Sequence, residues 1–227
     1  MKEKIRELVE SYGADLCGFA NIDRFKDAPV GFGPSDILLE CKTVISFAVA
    51  LPRGLAKVSP RLIYGHFNDI SCPEVDMIAF RSAKKIEEMF NCIAVPIPSD
   101  SPYEYWDAEK TEGKGLLSMK HIAVHSGLGT LGKSTLLLNE HYGNMLTLGA
   151  VLINLNLPSD NASKDICIKG CQRCVESCPV GAIRDNVVNQ KACRQHTYGK
   201  TLRGFNTVDC NLCRTICPIN DRGICSK

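Results

Sequence analysis

Nine of the thirteen cysteines lie between residues 167 and 225 of the 227-residue chain. Eight of the nine follow the spacing C-x3-C-x2-C-x3-C-P, then a lone cysteine, then C-x2-C-x3-C-P. Close spacing lets thiolates from one short loop converge on one metal centre, and the proline turns the chain away without donating a backbone N–H. In two-cluster layouts of this kind, three close cysteines bind one [4Fe-4S] cluster and the cysteine before proline binds the other. The spacing therefore predicts two [4Fe-4S] clusters.

If each cysteine before proline binds the cluster of the other segment, the eight cysteines divide into two ligand sets. The first predicted set is Cys167, Cys171, Cys174 and Cys217, and the second is Cys178, Cys193, Cys210 and Cys213. Cys167 lies one residue further from its neighbour than is usual, so Cys225 stands as an alternative fourth ligand of the first set. Two C-x-x-C units could instead build structural zinc sites. Structural zinc sites do not explain why both segments end in a cysteine followed by proline, so two iron–sulfur clusters are the preferred interpretation.

A second chemical motif, GLGTLGKS, occupies residues 127–134 and matches both G-x-G-x-x-G and G-x-x-x-x-G-K-S. A phosphate-binding loop connects a strand to a helix, and its lysine contacts the β- and γ-phosphates. Here the preceding residues, LLSMKHIAVHS, have a helical pattern, and the apolar run VLINLN ends on asparagines where a metal-binding aspartate would be needed. An ATPase with Lys133 on the phosphates is therefore the less favoured interpretation.

The elements that must position these motifs suggest two domains. Residues 1–158 alternate apolar strands, such as TVISFAVAL, with amphipathic helices predicted at the N-terminus, at residues 74–90 and at residues 116–126. This pattern predicts an α+β (α/β layered) first domain, and residues 159–227 form the cysteine-rich second domain. A long loop within the first domain carries Tyr103, Tyr105 and Trp106, which would either cover a planar ligand as a lid or pin the loop.

Composition gives limited further guidance. The net charge of +2 gives no overall attraction to nucleic acid or anionic membrane. The N-terminal helix is charged and lacks the apolar segment of a signal peptide, and no apolar run is long enough to span a bilayer. So many cysteines in a reducing compartment favour metal ligation over disulfides. We therefore expect a cytoplasmic protein with no membrane partner.

The segments GLGTLGKSTLLLN, HYGNMLTLGAVLIN, CQRCVESCPVGAI and CNLCRTICP together resemble the epoxyqueuosine reductase family, which is related to corrinoid reductive dehalogenases. The resemblance implies a nitroreductase-like N-terminal domain that binds cobalamin and a C-terminal two-cluster ferredoxin-like domain that supplies electrons. It also implies that the glycine motif approaches the corrinoid closely. The cofactor-binding candidates are Lys120, His121, Gly127, Gly129, Gly132, Lys133 and Ser134. A flavin is the less favoured cofactor, and His121 with His125 could form a metal pair, although packed or surface histidines are the preferred interpretation.

The expected function is that of an oxidoreductase of unknown substrate, in which two clusters pass single electrons from a low-potential donor to a cobalt centre that becomes nucleophilic. The alternatives are an electron carrier that docks a partner redox enzyme and a P-loop ATPase with an attached ferredoxin domain. The family's acidic proton donor aligns with Gly113, with Glu112 and Asp107 as nearby substitutes. The longer members also continue into a helical-repeat domain, whereas this sequence ends at Lys227. These differences make tRNA doubtful, and the expected partners are a small-molecule substrate or a partner redox protein.

Overall fold

A computed structural model describes residues 1–103 and 105–220 of the chain. The elements of the N-terminal part are α1 (Lys2–Ser11), β1 (Leu16–Asn21), α2 (Pro34–Ile37), β2 (Thr43–Ala50), α3 (Leu62–Phe90), β3 (Ala94–Ile97), β4 (Tyr105–Asp107), β5 (Glu112–Lys114), α4 (Met119–His125), β6 (Thr130–Leu131), β7 (Leu137–Leu138) and β8 (Leu146–Ile153). Those of the C-terminal part are α5 (Arg173–Glu176), β9 (Ile183–Arg184), β10 (Val187–Val188), α6 (Gln190–Thr197), β11 (Tyr198–Lys200), β12 (Asn206–Val208) and α7 (Leu212–Thr215).

The core is a four-stranded antiparallel sheet in the order β1-β2-β8-β3. Strand β2 is buried along most of its length because helices cover both faces of the sheet: Phe47 packs with residues of α1 and α3, and Val44 packs with residues of α4. A continuous β-branched and aromatic run suits such a strand. The predicted mixed α/β fold is confirmed at this level.

Helix α3 differs from its prediction. We expected it to begin next to Pro73, whereas it begins at Leu62 and contains this proline in its interior. Proline inside a helix removes one backbone hydrogen bond. The N-terminal half is held by packing, since the buried Tyr64 contacts Met145 and Val208 and Gly65 approaches the backbone of β12. Among the helices that the structure describes, none is long and apolar enough to cross a membrane.

The two C-x2-C-x3-C-P segments have the same backbone conformation. Each contains a four-residue helix, α5 or α7, that begins two residues after the first cysteine of the segment and includes the second. The Ser177 N–H donates to Arg173 and the Ile216 N–H to Leu212, at 3.0 and 2.9 Å. After each proline a further turn closes on the preceding cysteine carbonyl. The C-terminal part therefore contains a structural repeat that brings its two cysteine loops into equivalent shapes.

Asp160 ties the N-terminal helix to the segment that follows β8. Its carboxylate accepts hydrogen bonds from Lys2 at 2.5 Å, from Arg6 at 3.0 Å and from the backbone N–H of Phe19 at 3.0 Å. Lys2 and Arg6 also lie over the ring of Phe19. Burial alone would raise the pKa of Asp160, but the hydrogen bonds from the two cations hold it below its usual value.

We expect Asp160→Asn to lower the free energy of unfolding by about 2 kcal/mol, because two partly buried cations lose their counterion. A carboxylate with a depressed pKa stabilises the fold above its unfolded pKa of about 3.9 and loses that contribution as pH falls through its folded value. Denaturant unfolding should therefore show a constant difference between variant and wild type near neutral pH and a shrinking one below about pH 4. Asp69→Asn, at an exposed carboxylate on α3, is the control. Equal stability of the two variants would contradict this account.

Candidate functional site

A cavity of about 1130 Å³ lies between the N-terminal elements and the cysteine loops. Helix α4 contributes Lys120, His121 and His125 to its wall, and the C-terminal part contributes α6 and the loop before α7. Small-ligand sites in proteins usually measure about 300–1,000 Å³. The cavity is therefore large enough for a bulky cofactor together with part of a substrate.

The second predicted ligand set lines this cavity in full, and we call it the inner set: Cys178, Cys193, Cys210 and Cys213. Burial raises the pKa of Cys213 to about 11, and the nearby thiols of Cys193 and Cys210 act in the same direction. The Cys178 sulfur accepts a hydrogen bond from the Ala182 backbone N–H at 3.2 Å. Backbone N–H donors of this kind stabilise anionic thiolates bound to a cluster.

The first predicted set, which we call the outer set, is Cys167, Cys171, Cys174 and Cys217. None of these lines the cavity described above. Burial raises the pKa of Cys217, and Cys174, Cys167 and Cys171 raise it further, so the cysteine before Pro218 lies within electrostatic range of the three thiols of the other loop. Cys213 in turn lies within electrostatic range of Cys174. The two sets are therefore neighbours.

The spacing of the thiols bears on which metal centre they suit. In the part of the chain that the structure describes, no three His, Cys, Asp or Glu side chains converge closely enough for a single metal ion. A [4Fe-4S] cluster instead carries its thiolates on the corners of a cubane. Cys225, the alternative ligand, lies outside the described residues, whereas Cys167 lies beside the rest of the outer set.

The glycine motif leads from helix α4 into a hairpin of β6 and β7, not from a strand into a helix. This connection is the reverse of a phosphate-binding loop. A Cβ on Gly127 would lie 2.3 Å from the Asn161 carbonyl oxygen, and one on Gly129 would lie 2.2 Å from that of Leu138. The neighbours of these glycines are thus other segments of the chain, contrary to the expected approach to a ligand.

The other members of the motif divide between two environments. Gly132 packs against the Leu138 side chain, and Lys133 donates to the Cys171 carbonyl oxygen at 2.7 Å. Ser134 is buried and lines the cavity, as do the two residues that follow it. Among the residues of the motif, the cavity wall therefore includes only its final serine. A cofactor-binding role for Gly127, Gly129, Gly132 and Lys133 stays a prediction.

Helix α4 presents the remaining candidates to the cavity. Burial lowers the pKa of Lys120, while the nearby Cys213 thiol raises it, and its ammonium lies 3.4 Å from the Thr135 hydroxyl. His121 shares a hydrogen bond of 2.7 Å with Ser118, and His125 packs edge-on against Phe25. Burial lowers the pKa of His125, which favours a neutral imidazole. Lys120 therefore lies within electrostatic range of the inner set.

The long loop forms a hairpin of β4 and β5 beside the cavity. Tyr103 and Trp106 stack with ring centroids 5.8 Å apart, and the Arg194 guanidinium lies 5.4 Å from each ring. Gln190 joins α6 to β5 through two hydrogen bonds between its side-chain amide and the backbone of Gly113. Sequence reasoning missed Gln190 and Arg194. The available signal was their position on α6, three residues before and one residue after Cys193.

The two carboxylates considered as substitute proton donors do not line the cavity. Asp107 accepts the Lys110 backbone N–H at 2.9 Å, and that hydrogen bond lowers its pKa. Glu112 lies 3.8 Å from the ammonium of Lys114. Asp27 and Asp100 are the carboxylates on the cavity wall within the described residues, and Asp100 accepts the Tyr103 hydroxyl at 3.0 Å.

Comparison with known proteins follows from this arrangement of fold and site. No protein-family profile matches the chain. The epoxyqueuosine reductase of Lactococcus garvieae (strain Lg2) is 27% identical over 97% of this chain and 70% of that protein. A solved reductive dehalogenase, described as suggesting a mechanism for B12-dependent dehalogenation, is 16% identical with a TM-score of 0.66 and covers 96% of this chain and 32% of that one. The fold is thus a mixed α/β fold shared by epoxyqueuosine reductases and reductive dehalogenases. The family resemblance predicted from the motifs is confirmed, and the chain is a relative of the epoxyqueuosine reductases.

A further solved relative corrects one expectation. An epoxyqueuosine reductase crystallised with a tRNA-Tyr epoxyqueuosine-modified stem loop is 19% identical with a TM-score of 0.66. The comparison covers 97% of this chain and 65% of that one. Our expectation that a tRNA partner is doubtful was wrong, because this relative of the same fold is described with a modified tRNA stem loop. The chain spans about two thirds of the length of that relative.

Proposed function

We propose that the chain is an iron–sulfur reductase in which an outer cluster passes electrons one at a time to an inner cluster and then to a cofactor in the cavity. The observation that carries this proposal is the asymmetry of the two cysteine sets. All four inner cysteines line the cavity and none of the outer cysteines does, while Cys174 of the outer set lies within electrostatic range of Cys213. The order donor, outer cluster, inner cluster, cavity follows from that arrangement.

The residues present fit two [4Fe-4S] clusters. The repeat gives each cluster a C-x2-C pair from one loop and the cysteine before proline from the other, as the neighbours of Cys217 indicate. The Ala182 N–H supplies a donor to an inner thiolate. On this basis Cys167 completes the outer set, residues 159–227 act as a ferredoxin-like unit, and residues 1–158 act as a nitroreductase-like unit.

The proposed occupant of the cavity is cobalamin, with a flavin as the smaller alternative. Its support is the shared fold with a dehalogenase described as B12-dependent and a volume larger than a drug-sized site. Lys120, His121 and Ser134 are the predicted residues that would contact it. A corrinoid supplies a strongly reducing metal centre, which no side chain offers, while the protein supplies position and electrostatics.

The proposed substrate is an epoxyqueuosine-type nucleoside in tRNA. Its support is the family relationship and the tRNA-bound relative. The cavity wall also carries several basic side chains that would favour a nearby phosphate backbone: Arg24, Lys114, Arg194 and His196.

Tyr103 is the proposed proton donor to the substrate. Burial raises the pKa of its hydroxyl, so the group keeps its proton at neutral pH. Arg194 donates to this hydroxyl at 3.2 Å and Asp100 accepts from it at 3.0 Å, which fixes its orientation on the cavity wall. A neutral hydroxyl is the form that a general acid requires, and donation to the substrate would replace its hydrogen bond to Asp100 while Arg194 stabilises the phenolate that is left.

We expect Tyr103→Phe to lower turnover by about a hundredfold, because general-acid catalysis typically contributes about 10²–10⁴-fold. The ring stack and both clusters should remain, so the visible absorption of the clusters is the internal control. Tyr105→Phe, on the adjacent strand, should retain activity. Wild-type turnover by Tyr103→Phe would exclude this hydroxyl as the donor.

The experiment that tests the function combines metal analysis with turnover. Protein purified without oxygen should contain about eight iron atoms per chain, from two four-iron clusters, and little zinc. With cobalamin and a low-potential reductant, it should convert an epoxyqueuosine-containing anticodon stem loop to the queuosine form. Stoichiometric zinc with trace iron would overturn the cluster assignment. Full clusters that reduce a partner protein but bind no cofactor would favour an electron carrier instead.

A further inference from the structure

Asn211 lies in the sequence between two inner cysteines, Cys210 and Cys213. The residue is only 6% exposed and borders the cavity. Although Asn211 precedes helix α7 in the capping position, its side chain does not cap that helix. The Nδ2 atom is buried and has no hydrogen-bond partner among the described residues. A buried amide N–H without an acceptor costs about 1–3 kcal/mol, so this position favours an acceptor at the site.

The structural repeat provides an internal comparison. Gln172 follows Cys171 in the outer loop, as Asn211 follows Cys210 in the inner loop, and both precede a four-residue helix. Gln172 is exposed to solvent, whereas Asn211 is buried. The same place in the repeat thus carries a buried amide donor only beside the inner set.

We propose that the Asn211 Nδ2–H donates a hydrogen bond to a sulfur of the inner cluster and raises its reduction potential relative to that of the outer cluster. This inference rests on the proposed function. A reduced cluster carries one more negative charge, so an N–H donor to its sulfur stabilises the reduced form more than the oxidised form. Electron transfer that oxidises the outer cluster and reduces the inner cluster is thereby favoured toward the cavity. Asn211 thus acts on the reaction through the potential of the inner cluster, not through a contact with the substrate.

The test compares Asn211→Leu with Gln172→Leu in the full chain, purified and handled without oxygen. Potentiometric measurements followed by electron paramagnetic resonance give both midpoint potentials. In Asn211→Leu we expect the inner cluster to become about tenfold harder to reduce relative to the outer one, which corresponds to ~59 mV for a one-electron couple. The outer potential and the iron content should not change. Gln172→Leu should leave both potentials at the wild-type values.

Unchanged potentials in Asn211→Leu with full iron would overturn the inference. If cobalamin affinity falls while both potentials remain unchanged, the amide serves the cavity occupant and the inference is equally wrong. Should Asn211→Leu fail to assemble its inner cluster, Asn211→Asp retains the size and polarity of the side chain while replacing the N–H donor. Asn211→Asp should lower the potential of the inner cluster below the wild-type value, and an unchanged potential in this variant would contradict the hypothesis. Wild-type protein without two cluster signals would instead refute the proposed function.

Discussion

Cys217→Ser is expected to remove the outer cluster and to leave the inner cluster in place. Cys217 is close in sequence to Cys213, yet the thiols that act on it electrostatically are those of Cys174, Cys167 and Cys171. A serine hydroxyl is a poor ligand for iron at neutral pH, so three thiolates would remain for the outer cluster. We expect the iron content to fall by about half, from about eight to about four atoms per chain. The electron paramagnetic resonance signal of one reduced cluster should disappear.

The reciprocal variant Cys213→Ser is the matched control because it carries the same substitution four residues earlier. It should remove the inner cluster and retain the outer one, since Cys213 lies beside Cys193 and Cys210 on the cavity wall. Both variants should lose turnover, but their remaining clusters should have different spectra. Loss of the same cluster in both variants would contradict the crossed arrangement.

Gly129→Val is expected to destabilise the whole N-terminal fold by more than about 3 kcal/mol, since it overpacks a site where a backbone atom blocks the new side chain. Its Cβ would lie 2.2 Å from the Leu138 carbonyl oxygen and 3.3 Å from the Leu137 side chain. Strands β6 and β7 would have to separate to admit it. The expected result is a lower midpoint in denaturant unfolding and loss of cofactor binding as a consequence.

Gly54→Ala is the control for this variant, because a Cβ there meets no atom within 4 Å. It should be neutral or slightly stabilising. The sequence alone had suggested that a side chain at Gly129 would block the cofactor directly. Wild-type stability with selective loss of cobalamin binding would restore that interpretation and contradict the packing account.

Much of the N-terminal fold could be predicted from local patterns. The run TVISFAVAL became β2 because β-branched and aromatic residues suit a strand buried on both faces, and the pattern before Gly127 became α4. Pro73 misled us about α3, because proline is a local signal and packing of Tyr64 against Val208 is not visible in the sequence. Tertiary contacts often override such signals.

The candidate site could be predicted only in part. The cysteine spacing suggested two ligand sets, but it carries no information on which set faces a cavity. That asymmetry depends on how α6 and the loop before α7 pack against α4. The sequence showed that the motif needs glycines, but it did not show which atoms they approach. These are the carbonyl oxygens of Asn161, after β8, and of Leu138, on the second strand of the hairpin. Arg194 was missed because its ring partners, Tyr103 and Trp106, are about 90 residues away in sequence.

The most direct test of the central claim is a titration of cobalamin into anaerobically purified protein, followed by electron paramagnetic resonance. The account predicts saturation at about one cobalamin per chain, since one cavity borders the inner set. It also predicts that the cob(II)alamin signal changes when the inner cluster is reduced, and that this change is lost in Cys213→Ser but kept in Cys217→Ser. Absence of saturable binding, or a cobalt signal that is insensitive to the inner cluster, would contradict it.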